Sequence, residues 1–112
     1  MTAGISLIVY PVTDLAKAKQ IYTQLLGVEP YMDSPYYVGY KFGDQEIGLD
    51  PNGHKSGLTG PVAYRQVADI HQSVQGLLDA GAQILQEVKD VGGGLLVAIV
   101  KDADNNAIGL RQ

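Results

Sequence analysis

The chain nearly repeats itself. Val12-Thr13-Asp14-Leu15 opens an amphipathic stretch that closes at Leu26-Gly27-Val28; it recurs as Val67-Ala68-Asp69-Ile70, whose stretch closes at Ala80-Gly81-Ala82. Later in each half, Ile47-Gly48-Leu49 recurs as Ile108-Gly109-Leu110. Two units of about half the chain therefore follow one plan, and a unit that short cannot bury its apolar face alone. A chain built this way is expected to form two similar half-domains with a shared cleft, and function is sought there.

The local pattern gives each unit the order β-α-β-β-β. Ile5 to Tyr10 is apolar and β-branched, which reads as a strand buried on both faces. Asp14 is placed to cap a helix over about 14–26 whose buried stripe is Leu15, Ala18, Ile21, Tyr22, Leu25 and Leu26, with Gly27 ending it. Strands are expected around Glu29 to Met32, Tyr36 to Phe42 and Gln45 to Asp50, the last two joined by a tight Gly43-Asp44 turn. A turn-rich linker, Pro51 to Gly57, leads to the second unit. There Val62 to Val67 is a strand, and Asp69 caps a helix over about 69–80 with the stripe Ile70, Val74, Leu77 and Leu78. Strands near Gln83 to Val88, Leu95 to Val100 and Ala107 to Arg111 follow, with turns at Gly92-Gly93-Gly94 and Asp102 to Asn106. The expected fold class is α+β, a single domain over 1–112 made of repeats at about 4–52 and 60–112.

Composition limits the functional classes. A formal charge of −4 and the absence of Lys/Arg clusters argue against nucleic acid as a partner. The longest apolar runs are far too short to span a bilayer, and the N-terminus lacks the basic start and apolar stretch of a signal peptide. A cytoplasmic location with no membrane partner is expected. With no cysteine there is no disulfide, thiolate nucleophile or thiolate metal site.

The repeated signals, Val12-Thr13-Asp14-Leu15 with Ile21-Tyr22 and Leu25-Leu26-Gly27 in the first half, and Val67-Ala68-Asp69-Ile70, Ala80-Gly81-Ala82 and Asp102-Ala103-Asp104-Asn105 before Ile108-Gly109-Leu110 in the second, resemble the vicinal oxygen chelate superfamily. That superfamily includes glyoxalase I, extradiol dioxygenases and bleomycin-resistance proteins. The resemblance covers essentially the whole chain and implies paired βαβββ half-barrels. It also implies where a metal would be held: by a His, Glu or Gln in each half's first strand, ahead of the capping Asp, and by a Glu in the middle of each half's last strand. Those positions here are Leu7, Val62, Gly48 and Gly109, none of which carries a donor side chain. A catalytic cation needs about three protein ligands. No metal or other cofactor is therefore expected.

Strand parity places Leu7, Val9, Val62, Tyr64, Gln66, Gly48, Gly109 and Arg111 on the concave side, with Glu46, Asp50 and Ala107 in phase with them. Tyr40, from a cluster with Tyr31, Tyr36 and Tyr37, is added as a lining residue because a tyrosine ring suits the rim of a wet pocket. The glycines are expected to leave room for a substrate or a ring, so that leucine there would weaken ligand binding and leave folding largely intact. His54, in the linker, and Glu46 are the candidate bases; His71 reads as solvent-facing. Gly92-Gly93-Gly94 lacks the Lys-Ser/Thr of a phosphate loop and reads as a hairpin. Glu46 and Asp50 stand about 13 Å apart along a strand, too far for paired-carboxylate hydrolysis. The resulting expectation is a metal-independent small-molecule-binding protein of the bleomycin-resistance kind, taking an organic, aromatic or cationic ligand. The alternative is a glyoxalase-like lyase or isomerase using the same cleft. A homodimer is expected, with the Tyr31 to Tyr40 region and Arg65 at its interface.

Overall fold

Two aspartates at equivalent places in the repeat start the two helices. Asp14 is extended and its carboxylate accepts the Lys17 backbone N–H at 3.0 Å; Asp69 does the same for Gln72 at 3.1 Å. Each thereby satisfies one of the amides that a helix start leaves without an intrahelical partner. Gly27 closes the first helix at φ +71°, a left-handed geometry that lets its N–H reach the Thr23 carbonyl.

The computed structural model describes residues 4–112; residues 1–3, on which the reading against a signal peptide partly rests, lie outside the described residues. The elements run β1 (Ile5–Pro11), α1 (Leu15–Leu26), β2 (Met32–Ser34), β3 (Tyr37–Phe42), β4 (Gln45–Asp50), a short 3-10 turn at His54–Ser56, β5 (Val62–Gln66), α2 (Ile70–Asp79), β6 (Gln83–Asp90), β7 (Leu96–Lys101) and β8 (Ala107–Arg111). This is the β-α-β-β-β order, twice, of an α+β fold. No helix among the described residues is long and apolar enough to cross a membrane.

Two compact units result, Ser6–Val62 and one built on Ala63–Gln112. In the first, the strand order is β2-β3-β4-β1, with β1 parallel to β4 and the other pairs antiparallel. Phe42 opposes Gln45, so Gly43-Asp44 is a two-residue hairpin loop, with Gly43 at φ +60°. In the second, the order is β5-β8-β7-β6, with β5 parallel to β8.

Each helix covers one face of its own sheet. Under α1, Val38, Tyr40 and Leu49 are fully buried against Leu15, Ala18, Tyr22 and Leu26. Ile70 and Val74 of α2 form the matching cluster with Ala98, Val100 and Leu110 of its sheet. A fully buried side chain of this kind contributes about 1.5–3 kcal/mol.

Three local expectations change. Ile21 and Leu25, assigned to the buried stripe, are 58% and 70% exposed. The helix meets the sheet through Leu15, Ala18, Tyr22 and Leu26, which leaves Ile21 and Leu25 on its flank. The strand expected at Glu29 to Met32 begins only at Met32: Pro30 has no N–H to give to a ladder, and Tyr31 gives its own to the Gly39 carbonyl just ahead of the first paired residue. β1 is half-buried along most of its length, with Val9 alone buried, not enclosed on both faces.

The β7–β8 turn is held by Asp102, which accepts the Asn106 side-chain amide and the backbone N–H groups of Asn106 and Asp104. The Asn106 side chain, then its backbone N–H, keep the Asp102 carboxyl below the usual carboxylate range. Its contribution is present above the unfolded pKa and is lost as pH falls through the lowered folded value.

Replacing Asp14 or Asp69 by alanine is expected to cost about 1 kcal/mol each. Urea unfolding of the two variants checks this, with a shifted midpoint at unchanged slope as the expected result.

Candidate functional site

The face of each sheet turned away from its helix carries the residues singled out by the repeat. In the first unit the register pairs Leu7 with Glu46, Val9 with Gly48, Gly48 with Gly39, and Glu46 with Lys41. Register partners share a face, as do residues two apart. Leu7, Val9, Glu46 and Gly48 therefore come together as expected, joined by Tyr37, Gly39 and Lys41. Two glycines directly opposite each other leave bare backbone at the centre of this face.

Tyrosine rings fill that space. A Cβ on Gly48 would lie 1.9 Å from the Tyr37 hydroxyl oxygen and 2.5 Å from its Cζ. A Cβ on Gly39 would lie 3.1 Å from Tyr31 Cε1 and 3.3 Å from Tyr37 Cε2. Tyr37 thus lies across both glycines in contact with the backbone, and Tyr31 borders it. The Tyr31 hydroxyl donates to Glu46 Oε1 at 2.9 Å, and the Lys41 ammonium stands 4.8 Å from the centre of the Tyr31 ring. The first is a hydrogen bond to an ionised acceptor, stronger than a neutral one; the second is a cation–π contact.

The second unit follows the same logic on its own sheet. Tyr64 pairs with Gly109, Gln66 with Arg111, and Gly109 with Ile99. A Cβ on Gly109 would meet Tyr64 Cδ2 at 2.6 Å and Cγ at 2.7 Å, so Tyr64 lies on that glycine. Val62 and Tyr64 are buried, Arg111 half-buried and Gln66 exposed.

Tyr40 does not belong to this face. It opposes Ile47, is fully buried under α1, and exchanges hydrogen bonds there with the Thr23 hydroxyl at 2.8 Å and the Lys19 carbonyl at 3.1 Å. The β3 tyrosine on the face turned away from the helix is Tyr37. The signal for it was in the sequence: a two-residue Gly43-Asp44 loop sets Tyr40 opposite Ile47 and so in phase with the helix side. His54 is exposed in the 3-10 turn beyond the far end of β4 from Glu46, and His71 is exposed on α2. A shallow concavity runs along the outer side of α1, lined by Lys19, Thr23, Gln24 and Glu29 among others; it shares no residue with the expected site. Lys19 there pairs with Asp33, whose carboxylate holds the ammonium above its ordinary pKa.

The residues present do not fit the divalent cation that the family resemblance implies. Leu7, Val62, Gly48 and Gly109 offer no donor, and the volumes in front of both glycines are taken by Tyr37 and Tyr64. No three His, Asp or Glu side chains converge among the described residues. The same geometry counts against the expectation that leucine at Gly109 leaves folding intact, since even one added carbon meets the base of the buried Tyr64 ring, whereas at Gly48 it meets the outer end of the half-buried Tyr37, which must swing aside.

Gly109→Ala is expected to lower stability, because the added carbon meets the base of the buried Tyr64 ring, and Tyr64→Ala in the same chain to restore part of the loss. A double-mutant cycle by urea unfolding is expected to give a coupling of about 0.5–3 kcal/mol; additive effects would mean that ring and glycine do not touch.

No curated protein matches the chain in sequence. Among solved structures, a glyoxalase/bleomycin resistance protein/dioxygenase superfamily member from Vibrio splendidus is similar with a TM-score of 0.73 at 16% identity, over 99% of both chains. A protein described as an NAD-dependent benzaldehyde dehydrogenase from Legionella pneumophila gives a TM-score of 0.74 at 18% identity, over 94% of this chain and 96% of that one. A variant methylmalonyl-CoA epimerase from Streptomyces coelicolor, in complex with 2-nitronate-propionyl-CoA, gives 0.70 at 13% identity, over 99% and 94%. At such identities the likeness is one of fold. The sequence profile of one family matches residues 4–110, nearly the whole chain. The chain belongs to the Glyoxalase/Bleomycin resistance protein/Dioxygenase superfamily.

Proposed function

We propose that this protein binds an organic small molecule without a metal, on the sheet faces that carry Leu7, Val9, Gly48, Val62, Tyr64, Gln66, Gly109 and Arg111, with Tyr37 in the role first given to Tyr40. The observation that carries this reading is the packing of tyrosine rings onto Gly48 and Gly109, the places where the family's metal-using members have carboxylates. A dication there would meet ring carbon and, at Gly48, a single phenol oxygen in place of a carboxylate, and an uncompensated buried charge is strongly unfavourable. An apolar or aromatic ligand gains from the same walls, at about 25 cal/mol per Å² of apolar area removed from water. A few polar groups on a mostly apolar surface is a common form for such sites. The reading includes a homodimer in the cytoplasm with the Tyr31 to Tyr40 region and Arg65 at its interface, a region where Tyr31, Met32 and Tyr36 leave apolar surface exposed.

A second reading is favoured by one contact. Tyr31 holds the Glu46 carboxylate in a defined position, as a general base requires. Glu46 would then act as base in lyase or isomerase chemistry, and one protein of similar fold is an epimerase by name.

Elemental analysis of the purified protein, paired with thermal-shift screening against divalent metals and a panel of organic compounds, tests the first reading. Sub-stoichiometric metal and stabilisation by organic compounds alone are expected. Stoichiometric zinc, nickel, manganese or iron, or stabilisation by metals with no organic competitor, overturns it. Light scattering is expected to return twice the 11.9 kDa chain mass, and a monomer at micromolar concentration ends the dimer proposal.

A further inference from the structure

We propose that the Asn52–Gly53 peptide, in the turn that leads from β4 towards β5, is a site of spontaneous covalent modification: Asn52 loses ammonia to the backbone nitrogen of its neighbour, and the isoaspartate that results unseats Gly53 and loosens the turn. The site lies outside the sheet faces proposed for the ligand and does not depend on one.

Packing fixes the glycine. A Cβ on Gly53 would lie 2.5 Å from Pro11 Cβ and 3.1 Å from Pro11 Cα, at the end of β1. Neither belongs to a flexible side chain, so the close approach requires glycine. Gly53 is buried, and its carbonyl accepts the N–H groups of Ser56 at 3.1 Å and of the buried Leu58 at 3.0 Å. The residue ahead of it is under no such demand. Asn52 is exposed, and its contacts are made by its backbone: the N–H donates to Asp50 Oδ1 at 2.8 Å and the carbonyl accepts from Ser56. Its side-chain amide is engaged by no described residue.

Three conditions favour the reaction: a side chain free to fold back, a loosely held N–H on the next residue, and no Cβ there to crowd the ring that forms. Asn52 meets all three. The Gly53 N–H donates to the Asp50 carbonyl at 3.3 Å, beyond the usual range, and that carbonyl also accepts the Val12 N–H at 3.0 Å. Asn105 and Asn106 differ. Asn105 is followed by Asn106, whose N–H is held by Asp102 Oδ1 at 2.9 Å; the Asn106 side chain is itself held by Asp102 Oδ2 at 3.0 Å and is followed by Ala107.

In the first step the Gly53 nitrogen gives up its proton and bonds to Asn52 Cγ, the Cγ–Nδ2 bond breaks, and Nδ2 leaves with that proton as ammonia. A cyclic imide remains. Water opens it at Cγ to give aspartate in the normal linkage, or at the Asn52 main-chain carbonyl to give isoaspartate. Water enters, ammonia leaves, and nothing is oxidised or reduced. In isoaspartate the main chain runs through Cβ and Cγ and is longer by a carbon. Gly53 then cannot stay against Pro11 and keep the hydrogen bonds from Ser56 and Leu58.

To test this, the purified protein is held at neutral and at mildly alkaline pH, and its peptides are followed by mass spectrometry with electron-transfer fragmentation, which separates the two linkages. Asn52→Gln, which would have to close a larger ring, and the urea-unfolded wild type are carried in parallel. The folded protein is expected to lose the amide at Asn52 with both linkages present, while Asn105, Asn106 and the Asn52→Gln variant stay unmodified. Conversion is expected to be faster at the higher pH, because the attacking nitrogen must be deprotonated. The isoaspartyl fraction, isolated chromatographically, is expected to unfold at lower urea than the unmodified protein, and lower also than Asn52→Asp, which has the new charge in normal linkage. An Asn52 that reacts only in the unfolded chain overturns the site, as does equal conversion at Asn106. An isoaspartyl fraction that unfolds no earlier than Asn52→Asp overturns the unseating of Gly53.

Discussion

Each unit depends on one helix lying flat against one face of a four-stranded sheet. That contact buries Val38, Tyr40 and Leu49 under α1, and Ala98, Val100 and Leu110 under α2. Because strand side chains alternate, committing these residues to the helix commits every neighbour along the strands to the other face. The site is in this sense a by-product of core packing. Leu7, Glu46 and Gly48 lie where they do because Tyr10, Ile47 and Leu49 are needed beneath the helix.

On the remaining face, glycine and tyrosine act together. Glycine in a strand interior weakens it and commonly marks a close approach by another group. Here the approaching group is an aromatic ring of the same unit, Tyr37 at Gly48 and Tyr64 at Gly109. A ring set on bare backbone recovers apolar contact that the missing side chain would have supplied. It leaves a tyrosine ring, and no carboxylate side chain, at these two strand positions. Divergence in function on a shared fold is expected to take this form, with the scaffold kept and the chemistry of a few inward positions exchanged.

Two of the polar groups on that face are linked through one ring: Lys41 on the Tyr31 ring, and the Tyr31 hydroxyl on Glu46. Tyr31 comes from the segment before the short β2, which Lys19 on α1 also grips through Asp33. The orientation of Glu46 is therefore tied to the docking of an edge strand and not only to its own strand.

The repeat, the capping aspartates, Gly27 and the Gly43-Asp44 loop were enough to derive element order and nearly every boundary from the sequence, because caps and turns are local chemistry with few solutions. Leu7, Val9, Glu46 and Gly48 were also legible, as parity along a strand is a local property. Tyr37 was not assigned, although the two-residue Gly43-Asp44 loop sets the register between β3 and β4 and with it which of the two tyrosines faces the helix. The exposure of Ile21 and Leu25 depends in turn on how α1 sits on its sheet, since several apolar faces of a helix can satisfy the same periodicity. Filling of the space before Gly48 and Gly109 was decided by tertiary structure alone: the sequence can declare a side chain absent, but only packing in three dimensions determines which ring occupies the volume it leaves.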